Sequence, residues 1–179
     1  FTRRSYRQDE TASPELTLQL ERVGAPAIIV FSLTLTFAAF DWLMALDPHW
    51  YSTIFGVYYF ASNFMGAAAI TIIVAFFLRQ KGLLSDKHVT REHFHDLGKL
   101  MFAFVFFWGY IAFSQYMLIW YANVPEETLW FAHRKQGDWA YVSRFLVVGH
   151  FIVPFLGLMS RHIKRRLGFL VAWAVYLLF

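Results

Sequence analysis

Hydrophobic positions in this chain come in long unbroken stretches, not in the alternating or one-faced patterns of a water-soluble domain. The first covers residues 24–46, and others cover 52–78, 98–122 and 141–160. A fifth starts at residue 167 and continues to 179. A helix needs about 20 apolar residues to cross a bilayer, and the first four stretches reach that length. Lipid offers unpaired backbone groups no partner, so each stretch is predicted to be a helix. The short alternating strands of a membrane barrel are missing from the pattern. The expected fold is an all-α polytopic transmembrane bundle of about five helices, arranged as a four-helix bundle plus an extra helix. Residues 1–23 form a polar cytoplasmic or interfacial segment, with Pro14 and Pro26 flanking the start of the first apolar stretch, and 24–179 form the bundle.

The polar positions between the stretches set an orientation. Thirteen of the 16 Lys and Arg residues fall on one side if each stretch crosses once. They occupy the N-terminal segment, the loop around Lys87 and the loop around Lys164. The other side holds only Arg134, Lys135 and Arg144. The positive-inside rule places the first side, with the N-terminal end, in the cytoplasm. The outer side collects Trp42, Trp50, Tyr51, Trp120, Tyr121, Trp130, Trp139 and Tyr141, which reads as an interfacial aromatic belt.

Composition agrees. Of the 179 residues, 58% are hydrophobic, 21% aromatic and 16% charged. The net charge of +4 follows from the cytoplasmic loops and calls for no nucleic acid. With no cysteine, the chain holds neither thiolate-bound iron–sulfur clusters nor cysteine-bound zinc. It starts at Phe1 and stops within an apolar stretch, as expected of a piece of a longer polypeptide.

Ionisable groups at membrane depth are the natural functional candidates. Asp41 is expected about five residues inside the outer end of the first helix, roughly 7–8 Å deep. It reads as a proton acceptor or a partner for a quinol hydroxyl, or else as a carboxylate paired with Arg144. Thr34, seven residues earlier, would extend a polar stripe. His150 lies nine residues beyond Tyr141, near the midplane, where a neutral imidazole can relay a proton or bind a quinone carbonyl. Ser114, Gln115 and Tyr116 are candidates at similar depth. A bundle enclosing Asp41, Asn63, Gln115 and His150 would suit a quinone or a proton wire. Packing contacts are the plainer reading for such groups.

At the outer turn, Asp47 followed by Pro48 suggests a cap for the second membrane helix, with His49 exchanging protons. Glu126 and Glu127 follow Pro125 in the outer loop, as a proton exit or as solvated loop residues. On the cytoplasmic side His88, His93 and His95 stand near Glu92 and Asp96. Their spacing fits a solvated helix start, with His95 and Asp96 near a proton entry, better than a metal site. A single deep histidine does not make a bis-histidine haem site. Pro154 is expected to kink the fourth helix.

Two segments carry a family resemblance. One is Phe40-Asp41-Trp42-Leu43-Met44-Ala45-Leu46-Asp47-Pro48-His49-Trp50-Tyr51-Ser52-Thr53-Ile54-Phe55-Gly56-Val57-Tyr58. The other runs Ala112-Phe113-Ser114-Gln115-Tyr116-Met117-Leu118-Ile119-Trp120-Tyr121-Ala122-Asn123-Val124-Pro125-Glu126-Glu127-Thr128. His95-Asp96-Leu97-Gly98-Lys99-Leu100 and Gly149-His150-Phe151 add to them. The chain resembles the second integral-membrane subunit of bacterial alternative complex III, the quinol:cytochrome c oxidoreductase quinone-binding subunit 2 (ActF). It is more distantly similar to polysulfide-reductase membrane subunits of the NrfD type.

The resemblance implies a larger subunit in the bacterial inner membrane, built of two four-helix bundles with extra helices. It implies that this chain carries no redox cofactor and that quinone, commonly menaquinone, could bind it. The implied partners are a homologous membrane subunit, an iron–sulfur protein, multihaem and monohaem cytochrome c subunits, small membrane subunits and a terminal oxidase. The implied role is quinone binding or a proton pathway in quinol oxidation. The alternative is a scaffold that anchors the haem and iron–sulfur subunits.

Overall fold

The computed structural model describes residues 2–85 and 89–178. Lys87 and His88 lie outside the described residues. The chain is an all-α polytopic bundle, with no strand among the described residues. Its helices are α1 (Thr2–Thr11), α2 (Pro14–Trp42), α3 (Phe55–Gln80), α4 (Arg91–Ala122) and α5 (Pro125–Arg134). After them come α6 (Trp139–Val147), a π-helical turn (Val148–Ile152), α7 (Val153–Met159), α8 (Arg161–Arg165) and α9 (Leu167–Tyr176). Four continuous stretches are long and apolar enough to cross a membrane: Pro14–Leu46, Phe55–Gln80, Arg91–Ala122 and Trp139–Met159. The fifth apolar stretch forms the shorter helix α9.

Local sequence explains where the helices begin and end. Pro14 occupies the first turn of α2, where a missing N–H costs nothing. From there the polar residues up to 23 join the apolar stretch in one helix, which continues through Pro26. Helix α4 likewise starts before its apolar stretch, at a capping box between Thr90 and His93. His93 is thereby occupied in fixing a helix start. Asn123 ends α4 in the left-handed region at φ 51°, which asparagine tolerates. Pro125 then opens α5.

The turn between α2 and α3 differs from the sequence expectation. Asp47 does not cap the second membrane helix. That helix starts later, at Phe55, with Ile54 in the capping position. Asp47 instead closes a short 3-10 turn, Met44–Leu46, and its Oδ1 accepts the His49 backbone N–H at 3.4 Å.

Helix α3 is the hub, packed against α2, α4 and α9. Lipid is as apolar as leucine, so helices associate through close packing, which small residues permit. Ala68 and Ala69 of α3 supply that closeness. Met65 and Ile72 join them against Phe94, Met101 and Val105 of α4, Leu158 of α7 and Leu170 and Ala174 of α9. Helix α2 buries only Ala39.

Gly157 of α7 lies so close to Trp173 of α9 that a Cβ there would overlap the indole ring. Gly168 of α9 has open space around its Cβ position. Gly157→Ala is expected to cost about 1–3 kcal/mol by overpacking. Gly168→Ala is expected to be neutral or stabilising by up to about 1 kcal/mol. Unfolding of the two detergent-solubilised variants, followed by circular dichroism, checks the contrast.

Candidate functional site

Proline shapes the helix around His150. Pro154 has no N–H to give to a carbonyl in the preceding turn. The backbone widens there into a π turn, and the Val153 N–H bonds to the Val148 carbonyl, five residues back. The same register would direct the next N–H, that of residue 154, to the Gly149 carbonyl. Proline cannot supply it, and the Tyr176 hydroxyl of α9 donates to the Gly149 oxygen instead, at 2.8 Å. The turn also seats Phe151 directly against Gly109 of α4, where a Cβ would collide with the ring. π turns of this kind recur at functional positions.

His150 sits half-buried in this turn. Its ring meets Trp108 of α4 edge-on, with centroids 5.1 Å apart at 78°. Trp108 also packs against Tyr58 of α3 at 5.5 Å. Tyr58 continues to Phe55 at 6.2 Å, and Phe55 to Trp50 at 5.6 Å. Trp50 stacks on Trp130 of α5, 3.9 Å apart and 9° from parallel. The Arg134 guanidinium carbon lies 3.0 Å from the Trp130 ring centroid, and Arg134 also donates to the Trp130 carbonyl at 3.0 Å. An aromatic file therefore links α5, through the α2–α3 turn and α4, to the imidazole in the π turn.

Two buried donors in this half of the bundle have no acceptor among the described residues, the indole Nε1 of Trp50 and the Nε2 of Gln115. Buried polar groups are normally paired, so such donors point to a missing acceptor. The Trp108 indole N–H is turned toward the Tyr58 hydroxyl. Trp108 and Gln115 are seven residues apart on one stripe of α4, roughly 10 Å along its axis. Gln115 is 6% exposed.

The other sequence candidates fall in several places. Asp47 is half-buried and pulls on Arg134 electrostatically, opposing the downward shift that burial imposes on the guanidinium. The Tyr116 hydroxyl accepts from Lys135 Nζ at 2.8 Å, and its ring meets Phe131 edge-on at 5.1 Å. Ser114 is half-buried beside them on α4, and Glu126 is exposed in the first turn of α5. His49 is exposed in the turn between α2 and α3. Asp41 is exposed in the last turn of α2, because that helix ends at Trp42. Thr34 is exposed too and donates to the Val30 carbonyl of its own helix at 2.9 Å. Asn63 donates to the Tyr59 carbonyl at 2.9 Å, again within one helix. Asp41, Asn63, Gln115 and His150 thus do not share one enclosed interior. Arg144 lies over the Tyr141 ring rather than against Asp41.

His95 and Asp96 belong to the opposite end of the bundle. Thirteen residues of α4 separate His95 from Trp108, about 20 Å. Asp96 pairs with Lys99 at 2.6 Å, and Glu92 pairs with Arg165. No group of three His, Asp or Glu side chains suited to a metal occurs among the described residues.

The sequence reading placed Trp50 and Trp130 in the interfacial belt and did not single out Trp108. Trp50 is only 3% exposed, whereas Trp42, Tyr51, Trp120, Tyr121, Trp139 and Tyr141 remain at the surface. The available signal was the seven-residue spacing of Trp108 and Gln115 along α4. No protein-family model and no curated protein matches this chain.

Two variants test the local physics. Tyr176→Phe leaves the Gly149 carbonyl without its donor and is expected to cost about 1–2 kcal/mol. Adding Pro154→Ala, which restores an N–H, should recover part of that loss in the same unfolding assay. At the other end, burial and the neighbouring Lys99 charge hold the Lys164 amine below its ordinary value of 10.5. Its Nζ lies 4.7 Å from the Phe102 ring centroid. Folding therefore disfavours the charged amine. The penalty is complete below the lowered pKa and fades as pH rises from there toward 10.5. Thermal stability is expected to gain over that alkaline window, and Lys164→Met should flatten the gain.

Proposed function

We propose that this chain is a membrane subunit of a quinol-oxidising respiratory complex of the alternative complex III type. Its contribution is a quinone-headgroup or proton site beside His150. The observation that carries the reading is the buried, acceptor-less Gln115 Nε2 on the α4 stripe whose Trp108 meets the imidazole. A quinone offers a carbonyl oxygen to such a donor. A quinol releases protons as its electrons leave, and an imidazole is a suitable first acceptor. The two long motifs quoted above, which include Gln115, support the same assignment. Electrons would travel through partner chains bearing iron–sulfur clusters and c-type haems, since this chain has no cysteine.

The scaffold reading has one observation in its favour. Asp41 is exposed, and the outer end presents Trp120, Tyr121 and Trp139 at 66%, 84% and 62% exposure, a surface suited to docking other subunits. The two readings separate in the intact complex purified from membranes. If the chain holds the site, His150→Gln and Gln115→Leu each lower quinol oxidation by about tenfold or more while haem and subunit content stay constant. Unchanged turnover in both variants would leave the scaffold.

A further inference from the structure

The three basic residues at the end of the bundle opposite Arg161–Arg165 gather in one place. Arg134, Lys135 and Arg144 line a groove of about 420 Å³ between α5 and the start of α6, together with Ser143, Val147 and Val148. Ser143 donates to the Arg134 carbonyl at 2.8 Å and so ties the two helices into one wall. None of the three cations has a carboxylate within 4.0 Å among the described residues. Asp47 acts on Arg134 only at longer range. Arg134 gives one N–H to the Trp130 carbonyl, and Lys135 gives one to Tyr116. Both keep further donors.

Depth and polarity select the ligand. The groove opens at the first turns of the Trp139–Met159 span, beside the exposed rings of Trp139 and Tyr141, which mark the headgroup level. Its lower wall is Val147 and Val148, exposed by 56% and 52% and facing outward along the span. An anionic group therefore meets three cations at the top, and a hydrocarbon chain meets valines below. We propose that this groove binds one acidic glycerophospholipid, its phosphate held by Arg134, Lys135 and Arg144 and an acyl chain lying along Val147 and Val148. A zwitterionic lipid would carry its own ammonium into a cluster of cations. A free phosphate would leave the apolar wall uncovered. The inference stands apart from the quinone reading, and of the π turn that holds His150 it uses only Val148.

Native mass spectrometry of the intact protein, released from bilayer discs of mixed phosphatidylcholine and phosphatidylglycerol, tests it. The expected result is preferential retention of one phosphatidylglycerol. The double variant Lys135→Gln, Arg144→Gln should weaken that retention by about tenfold or more. Arg134 is left in place because it also packs on Trp130. Arg144→Lys, which keeps the charge, should retain the lipid, and so should Arg161→Gln at the far end. Equal retention of both lipids would overturn the proposal, as would retention that survives the double variant with its helical spectrum unchanged. Displacement of phosphatidylglycerol by inorganic phosphate at comparable concentration would assign the groove to free phosphate and also overturn it.

Discussion

A bilayer gives the backbone nothing to bond with, and much of this chain can be understood as an answer to that constraint. Helices answer it wherever every residue has an N–H. Pro154 breaks the pattern at membrane depth, and the break is repaired in two steps. The ladder first widens into a π turn, and then a tyrosine hydroxyl from α9 reaches across to the carbonyl left over. The repair settles more than one hydrogen bond. It ties α9 to the π turn, seats Phe151 on Gly109, and turns His150 toward Trp108. The imidazole is therefore positioned by a backbone problem and its solution, not by a dedicated binding loop.

The same constraint separates what could be read along the chain from what could not. Each long apolar stretch became a helix, because length and hydrophobicity alone decide whether a segment can span. The first turns were harder. Residues 14–23 are polar, yet they continue α2, since helix propagation from Pro14 depends on backbone geometry and not on polarity. Asp47 was readable as a cap from its proline neighbour. The chain instead spends the following residues on turns that bury Trp50, a packing gain that no local rule anticipates.

Side-chain positions around the candidate site were legible only in part. His150 and Gln115 could be picked out because a polar group within an apolar stretch is conspicuous. Trp108 could not, since an indole in an aromatic-rich helix looks like ordinary packing until its ring is found between Tyr58 and His150. Asp41 shows the opposite failure. Its charge made it prominent, but it lies in the last turn of α2 and is exposed. Two of the tryptophans assigned to the belt illustrate a third limit. Trp50 and Trp130 find each other from distant parts of the sequence, through a fold that local composition does not encode.

The π turn has a geometric consequence for the whole span. It fits one residue more than an α-helix would into nearly the same rise, so residues beyond it are rotated by about 100° relative to those before it. Helix α6 and helix α7 consequently lie end to end but out of phase. A face that α6 turns toward the basic groove is carried, after the turn, to a different azimuth around the bundle. The span thus behaves as two coaxial segments with separate angular settings, α6 reading its surroundings near one membrane surface and α7 packed on α4 and, at Gly157, against Trp173 of α9. A one-residue deletion at the turn would barely shorten this helix but would re-phase one half against the other.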